Sequence, residues 1–206
     1  IGVDGDYAYY DIEYIHGASL SYLYVNKLLS PHNFKMIFSF LKNVISNNHI
    51  NGVSLYKQTY RQLVGNMYNN KTISRLTNYG LDLDTEIVVN DKKYPSLRSI
   101  IDTCSIDVTN SDVCYMHGDL CFSNILLDNY AMNVDNLTED VLKEHMYVID
   151  PRGIMTNNNI SAIGDWRYDV AKLAHSAIGY YDLIKSDKFK VDKISRNTYV
   201  YNEESY

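Results

Sequence analysis

The chain lacks the features that mark several large classes of protein. No apolar run approaches the roughly 18 residues that a membrane-spanning helix needs, so we expect no membrane contact. Residues 1–6 carry neither a basic nor an apolar segment, and no secretory signal is therefore predicted. The three cysteines are an odd number and too few for a disulfide framework, which favours a reducing compartment such as the cytoplasm.

An excess of positive charge is also missing. The chain has 19 basic and 25 acidic residues, a net charge of −6, and no basic stripe of the kind that nucleic-acid-binding proteins show. The lysines between residues 185 and 193 alternate with aspartates, and this pattern predicts a solvated surface rather than a phosphate-binding patch. We therefore expect no nucleic-acid partner.

What is present is the composition of a folded globular chain. Hydrophobic residues make up 46% of the 206 residues and charged residues 21%, which excludes a disordered chain. A chain of this length buries roughly 70% of the surface that it exposes when unfolded, so it needs no disulfide or metal to fold. The length fits one large domain or two small lobes.

Hydrophobic periodicity predicts a series of helices with a few short strands between them. Apolar residues at helical spacing predict helices over residues 18–29, 33–47, 55–68, 73–79, 97–104 and 168–179. Aromatic and β-branched runs predict strands over residues 7–15, 113–116, 125–127 and 146–149, and a hairpin over residues 86–94. Helices in blocks with segregated hairpins favour an α+β fold.

Two segments allow sharper expectations. The second helix carries an apolar stripe that predicts its core-facing side, formed by Phe34, Ile37, Phe38, Leu41, Val44 and Ile45. The segment 129–144 is polar and acidic, and we expect it to be an insertion that carries one short helix.

The most informative segment is residues 115–128, which spell YMHGDLCFSNILLD. It contains the pattern His-x-Asp-x-x-x-x-Asn between two predicted strands, and this pattern matches the catalytic loop of kinases. Asp150 lies 26 residues after Asn124 at the end of a further apolar strand, where kinases place a metal-binding Asp. The alternative is that an Asp and an Asn satisfy the backbone groups of a turn.

Phosphoryl transfer explains why these residue types would stand together. The reaction needs an acceptor hydroxyl aimed at the γ-phosphorus of a nucleotide, and it needs the phosphate charge neutralised. Asp119 would accept or orient the proton of that hydroxyl. Asn124 and Asp150 would offer the oxygen ligands that Mg²⁺ prefers. The pattern therefore predicts Mg²⁺ as a cofactor.

These motifs resemble the aminoglycoside phosphotransferase and choline kinase group of small-molecule kinases, which share the protein-kinase fold. Residues 117–128 are similar to that group's catalytic loop, and Asp150 is similar to its metal-binding Asp. Residues 164–173 are similar to its Gly-Asp-x-x-x-Asp-Leu-Ala segment. The resemblance implies that His117 and Asp169 support the catalytic loop.

Residues 11–20 resemble the hinge that joins the two lobes in this group. There the backbone of Glu13, Tyr14 and Ile15 would pair with adenine, which implies ATP as the co-substrate. The sequence Ile-Asp-Pro-Arg-Gly at 149–153 is also similar to phosphotransferase-like proteins of bacterial capsule and surface-polysaccharide biosynthesis. The implied acceptor is a sugar or a sugar-like hydroxyl compound.

The resemblance also implies a domain organisation. Residues 1–17 would be the end of an N-terminal lobe and the hinge strand. Residues 18–206 would be a protein-kinase-like C-terminal catalytic lobe, mostly helical with short β-hairpins around the catalytic loop. The rest of the N-terminal lobe, with its phosphate-binding Lys, has no counterpart, which implies weak nucleotide binding and little turnover. The implied activity is an ATP- and Mg²⁺-dependent phosphotransferase, and the alternative is a non-catalytic kinase-like lobe that binds a partner or a ligand.

Several further residues leave alternatives open. Arg152 would contact a phosphate or an acidic substrate, or else pair with a surface carboxylate. Asp165 would bind substrate or hold the loop before the last helix, and Trp166 would stack on a sugar ring or pack in the core. Two cysteines, Cys114 and Cys121, flank the catalytic loop at a zinc-like spacing that lacks further ligands, and we expect them to pack as small apolar groups.

Overall fold

The computed structural model describes the chain in several stretches. They comprise residues 2–5, 7–9, 13–47, 68, 70–104, 113–152, 154–156, 159–160, 162–188 and 190–202. The helix expected over residues 55–68 lies outside these stretches apart from Tyr68. Across the described stretches, no helix has both the length and the apolar character that crossing a membrane requires.

The described residues form both helices and short strands. The eight helices found there are Leu20–Val25 (α1), Pro31–Asn47 (α2), Lys71–Asn78 (α3), Leu97–Thr103 (α4), Asn129–Met132 (α5), Glu139–His145 (α6), Trp166–Ala177 (α7) and Tyr181–Lys185 (α8). The strands are Gly2–Asp4 (β1), Tyr7–Tyr9 (β2), Gly17–Ser19 (β3), Ile87–Val89 (β4), Lys92–Tyr94 (β5), Val113–Tyr115 (β6), Ile125–Asp128 (β7), Met146–Val148 (β8), Ile154–Thr156 (β9), Asn159–Ile160 (β10), Ile163–Asp165 (β11), Lys190–Ser195 (β12) and Thr198–Asn202 (β13). This mixture in several small sheets confirms the α+β class.

Two antiparallel sheets hold the segment that carries the His-x-Asp motif. Before the motif, β6 pairs with β11, and Cys114 lies opposite Gly164. After the motif, β7 is the central strand of a three-stranded sheet with β3 and β8. In that sheet Ile125 lies opposite Val148. The motif therefore spans the connection between two sheets, and each sheet fixes one end of it.

A second group of strands lies further from the motif. The strands of this four-stranded sheet lie side by side in the order β12, β13, β4 and β5, and β13 runs parallel to β4. The parallel pair joins two segments about 110 residues apart in the chain, since Thr198 lies opposite Val88. Residues of β12 are exposed throughout, as the alternation of lysine and aspartate there predicts.

The main core is built around the fully buried ring of Phe122. The rings of Tyr24, Phe34 and Phe38 surround it with centroids 5.3, 5.7 and 6.0 Å away, all close to edge-on. Edge-on pairs of this kind add stability beyond the area that they bury. Because Phe122 lies within the motif segment itself, the core anchors the candidate site directly.

Local sequence signals account for several element boundaries. The hairpin of β4 and β5 turns through Asn90 and Asp91, whose φ angles of 48° and 63° suit a tight two-residue turn. Helix α4 begins after Ser96, whose Oγ accepts a hydrogen bond from the Ser99 N–H at 3.2 Å. These predictions of the hairpin and of the capped helix are confirmed.

Three expectations about secondary structure are wrong in part. Residues 13–16, at the end of the predicted strand 7–15, have no strand structure, since the strand described there covers only Tyr7–Tyr9. The first helix begins at Leu20 rather than residue 18, because Gly17–Ser19 pairs with β7. The segment 129–144 holds two helices, α5 and α6, and each begins after a side-chain cap.

The core-facing side of α2 is narrower than its sequence predicts. Ile37, Leu41 and Ile45 are buried and Phe34 and Phe38 are packed against the core, but Val44 is 40% exposed. On a helix with 3.6 residues per turn, Val44 lies at the margin of the stripe that the other residues form.

Replacement of the central ring should destabilise the whole fold. We expect Phe122→Ala to lower the free energy of unfolding by about 3–5 kcal/mol, because it removes a fully buried aromatic ring and leaves a cavity. Urea unfolding followed by circular dichroism measures the change. The exposed Val44→Ala is the matched control and should stay within about 0.5 kcal/mol of the parent. A Phe122→Ala cost as small as that of the control would contradict the described core.

Candidate active site

The motif segment makes a tight turn at a position that favours glycine. Gly118 has a φ of 77°, in the left-handed region that side chains rarely adopt. A Cβ on this residue would lie 2.9 Å from the Cβ of Arg152. After the turn, a short 3₁₀ segment over Phe122–Asn124 leads into β7. Asp119, the residue that follows Gly118, is thereby held where two sheets and α7 meet.

A buried carboxylate on α7 holds this turn in place. The Asp169 Oδ2 accepts a hydrogen bond from the His117 N–H at 2.8 Å, and its Oδ1 accepts one from the Gly118 N–H at 2.8 Å. Only 4% of Asp169 is exposed. Burial raises the pKa of Asp169 above its usual value, although the two N–H donors act in the opposite direction. Asp169, which the sequence resemblance predicts to support the loop, therefore contacts the loop directly.

The imidazole of His117 connects the turn to the strand that precedes Asp150. Its Nε2 lies 2.9 Å from the Ile149 carbonyl oxygen, and its Nδ1 accepts a hydrogen bond from the Asp119 N–H at 3.2 Å. These partners fit a neutral ring with the proton on Nε2. The Arg152 N–H donates to the His117 carbonyl oxygen at 2.7 Å. Both ring nitrogens are thus engaged in holding the loop.

Asn124 and Asp150 lie at neighbouring positions on adjacent chain segments. The Ile149 N–H donates to the Asn124 carbonyl oxygen at 3.0 Å, so Asp150 follows directly after the residue paired with Asn124. The Asn124 Nδ2 donates to the Asp119 carbonyl oxygen at 2.9 Å, and among the described residues the amide oxygen has one long contact, 3.5 Å from the Ser123 hydroxyl. Asp150 is exposed and has a φ of 55°, an unfavourable angle for a non-glycine residue that is common at functional sites.

Asp119 carries a partly exposed carboxylate between two cationic side chains. Lys172 Nζ lies 2.6 Å from its Oδ1, and Arg152 Nη2 lies 4.0 Å from its Oδ2. Burial alone would raise the pKa of Asp119, but Lys172 and then Arg152 outweigh it and hold the pKa below its usual value. Since 31% of the side chain is exposed, an ionised oxygen remains within reach of a ligand.

The predicted hinge residues meet Asp150 at a cleft of about 750 Å³. Glu13 and Ile15 line one part of the cleft, and residues 146–151 line the rest. Tyr14 is 77% exposed and packs edge-on against His16, with 4.8 Å between the ring centroids. Glu13 and Ile15 therefore share a cleft with Asp150, whereas the Tyr14 side chain turns to a neighbouring residue.

The remaining sequence candidates divide between the site and the core. Arg152 joins the site, and its Nη1 also donates to the Tyr168 hydroxyl at 3.2 Å. Asp165 is 1% exposed, and its two oxygens bond the Arg167 side chain at 2.7–3.0 Å, contacts that favour a structural role. Trp166 packs against the main core and against the buried side chains of Cys114 and Met116, which favours packing over stacking on a sugar.

The two cysteines that flank the loop have buried side chains. Cys114 is buried, and burial raises the pKa of its thiol to about 12. Cys121 is also buried, with its Sγ 3.2 Å from the Ser123 hydroxyl. Among the described residues, no group of three or more His, Cys, Asp or Glu side chains is arranged to hold a metal ion. Both thiols pack as small apolar groups.

One site residue, Lys172, was missed in the sequence. The signal was present, because Lys172 lies three residues after Asp169 on the predicted last helix and so shares a face with it. Asp169 was assigned to support of the loop, and a neighbour on the same face of the helix therefore also points to the loop. The ion pair with Asp119 follows from that geometry.

Loss of the Asp169 charge should loosen the turn. Asp169→Asn keeps one acceptor oxygen but places an NH₂ donor opposite an N–H, so one of the two backbone bonds is lost. We expect the amide hydrogens of His117 and Gly118 to exchange at least about tenfold faster, the factor for about 1.4 kcal/mol. The exposed Asp135→Asn is the control and should leave both rates unchanged. Unchanged exchange in Asp169→Asn would show that the carboxylate does not hold the turn.

The ion pair should set the pKa of Asp119. In Lys172→Met we expect the Asp119 pKa to rise, because the largest lowering influence is removed. Since the folded-state pKa lies below the ordinary 3.8, the pair stabilises the fold above that pH, and this stabilisation disappears as the pH falls through the lowered pKa. Carbon NMR of the labelled carboxyl measures the shift. Lys143→Met, which removes an exposed pair with Glu139, should not move it.

Comparisons with known proteins add no family to this geometry. No protein-family model, no curated protein and no solved structure matches the chain. The functional conclusion therefore depends on the chain's own residues and on the way in which the loop, the cleft and α7 bring them together.

Proposed function

We propose that the chain forms the catalytic lobe of an ATP- and Mg²⁺-dependent phosphotransferase with a protein-kinase-like fold. The acceptor would be a hydroxyl group of a small molecule, and the acceptor class that we propose is a sugar-like compound. The observation that carries the proposal is the shared framework around His117. That one ring bonds the backbone of Asp119 and of Ile149, so it fixes Asp119 relative to Asp150.

Asp119 would orient the acceptor hydroxyl. Its carboxylate is ionised at neutral pH and partly exposed, so it can accept the hydroxyl proton as a hydrogen bond and aim the oxygen lone pair. Its lowered pKa makes it a weak base, which suits a reaction that depends mainly on positioning. Lys172 would then lie beside the oxygen where negative charge gathers during transfer.

The residues present fit a magnesium ion. The amide oxygen of Asn124 is the more weakly bonded polar atom of that side chain. Asp150 is exposed and directly follows Ile149, whose N–H binds the Asn124 carbonyl oxygen. Amide and carboxylate oxygens are the ligands that Mg²⁺ takes together with phosphate oxygens and water. When bound, the ion would neutralise phosphate charge. The protein's own part is to hold the two oxygens on one framework.

The cleft beside Asp150 would hold the nucleotide. Its volume of about 750 Å³ is within the usual range for small-molecule sites. The backbone of Glu13 and Ile15 is free of strand pairing within the described residues 13–16, so its polar groups are available to an adenine edge. The triphosphate would then extend toward Asp150.

Two further parts of the proposal rest on other grounds. The sugar-like acceptor and a place in surface-polysaccharide synthesis rest on the resemblance of the sequence. A cytoplasmic location is supported by the free thiols of Cys104, Cys114 and Cys121, which suit a reducing compartment.

A non-catalytic lobe is the second candidate. The observation that favours it is the short ion pair between Lys172 and Asp119, which occupies one carboxylate oxygen before any substrate is present. In that case the cleft would bind a nucleotide or another ligand without turnover, and a ligand-induced shift would occur with no transfer to any acceptor.

Stabilisation by Mg-ATP tests the proposal on the 206-residue chain. At about 100 times its Kd, the ligand should add about 2.7 kcal/mol and raise the melting temperature. We expect Asp150→Asn to lose this shift. Asp119→Ala should keep the shift but lose phosphate transfer to a panel of sugars, and Asp135→Asn should keep both.

Two results would contradict the proposed function. The first is an equal Mg-ATP shift in the parent and in Asp150→Asn. The second is phosphate transfer by Asp119→Ala at the parental rate. A shift that depends on Asp150 with no transfer by the parent to any acceptor would favour the non-catalytic lobe.

A further inference from the structure

Positive charge gathers around Asp119 in a chain whose net charge is −6. Lys172 and Arg152 lie beside its carboxylate, at 2.6 and 4.0 Å. Two more cations come from α3, since Lys71 and Arg75 lie one turn apart and share a face of that helix. The segment just before α3 lies near Arg152, since the ring of Tyr68 packs against that of Tyr168 with 5.9 Å between the centroids, and the Tyr168 hydroxyl accepts a hydrogen bond from Arg152 at 3.2 Å.

The Lys71 ammonium lies within electrostatic reach of the charges around Asp119. Burial lowers the pKa of Lys71, and the positive charges of Arg152, Arg75 and Lys172 lower it further, while Asp119 acts in the opposite direction. Lys71 is half-buried and Arg75 is exposed. Within the described residues, neither makes an ion pair with a carboxylate of the chain.

Two other carboxylates of α7 and its N-cap, within the part of the chain that the structure describes, are already engaged elsewhere. Asp169 accepts two backbone hydrogen bonds from the loop, and Asp165 is bonded to the Arg167 side chain. Like charges brought together at partly desolvated positions repel one another, and an anion placed among them relieves that repulsion. The cluster is therefore suited to an oxyanion supplied by a ligand.

The cluster is separate from the cleft assigned to the nucleotide. That cleft is lined by Glu13, Ile15 and residues 146–151, which include two acidic side chains and none of the four cations. The guanidinium of Arg152 is held by the Tyr168 hydroxyl at 3.2 Å, which prepares its fork for a phosphate or carboxylate. An amine-bearing acceptor would meet repulsion in the same place.

We propose that the acceptor carries an anionic group of its own, a phosphate or a carboxylate, which Lys71, Arg75 and Arg152 bind while Asp119 orients its hydroxyl. The proposal rests on the proposed function, because it assigns the substrate class of that same site. Lys172 would lie between the Asp119 carboxylate, with which it is paired, and the bound anion.

Binding of anions without nucleotide tests this assignment directly. Inorganic phosphate and glucose 6-phosphate are titrated calorimetrically into the full chain, with glucose and glucosamine as neutral and cationic probes. We expect both phosphates to bind and the two unphosphorylated hexoses to give no detectable binding. K71M/R75Q should weaken phosphate binding at least about tenfold, whereas K92M/K93Q on the exposed β5 should leave it unchanged. If the double variant does not fold, R75Q alone serves, because Arg75 is exposed.

A second titration distinguishes an anion on the acceptor from the phosphates of the nucleotide. Glucose 6-phosphate that still binds in the presence of Mg²⁺ and a saturating non-hydrolysable ATP analogue supports the proposal. Displacement by the analogue overturns it, because the cations would then hold the nucleotide. Absence of phosphate binding, equal binding by K71M/R75Q, or glucosamine binding as tight as that of glucose 6-phosphate also overturns it.

The two proposals fail in different ways. A chain that shows the Asp150-dependent Mg-ATP shift but no phosphate binding retains the proposed function and overturns the anionic acceptor. A chain that binds glucose 6-phosphate through Lys71 and Arg75 but shows an equal Mg-ATP shift in the parent and in Asp150→Asn supports the anionic ligand and rejects the phosphotransferase.

Discussion

The buried carboxylate of Asp169 is the contact on which the candidate site depends. Burial of a carboxylate is costly unless donors surround it, and here the N–H groups of His117 and Gly118 supply them at 2.8 Å each. Gly118 lies within this turn and adopts a left-handed angle that glycine tolerates without strain. The turn and α7 are thereby fixed to each other, and Lys172, one turn further along α7, reaches Asp119.

A second set of contacts extends this order to the neighbouring strands. Ile149 is bonded twice, through its carbonyl oxygen to His117 and through its N–H to Asn124. Asp150 therefore leaves the sheet at a defined point, and its backbone there has a left-handed φ of 55°. The positions of Asp119, Asn124 and Asp150 are set by the same few hydrogen bonds, so disturbance of one should be felt at all three.

The sequence predicts the centre of the site better than its surroundings. The motif from His117 to Asn124 is local, and the apolar runs beside it predict the strands that the structure contains. The side-chain caps of α5 and α6 were also local signals, and attention to them would have predicted both helices. Pairing between distant segments, such as β13 with β4, leaves no periodic trace in one sequence. The position of α3 relative to Asp119 also depends on tertiary packing, so no sequence pattern indicates that Lys71 belongs near the site.

The two sides of Asp119 differ in charge, and this difference suggests how one carboxylate could serve two ligands. On the Asp150 side the available groups are oxygen atoms, which attract a cation and, through it, a polyphosphate. On the α3 side they are cations, which attract an oxyanion directly. A ligand that neutralises the α3 side would also compete with Asp119 for Lys172, and the carboxylate would then be released toward a hydroxyl. Binding of the acceptor would in this way prepare the residue that orients it.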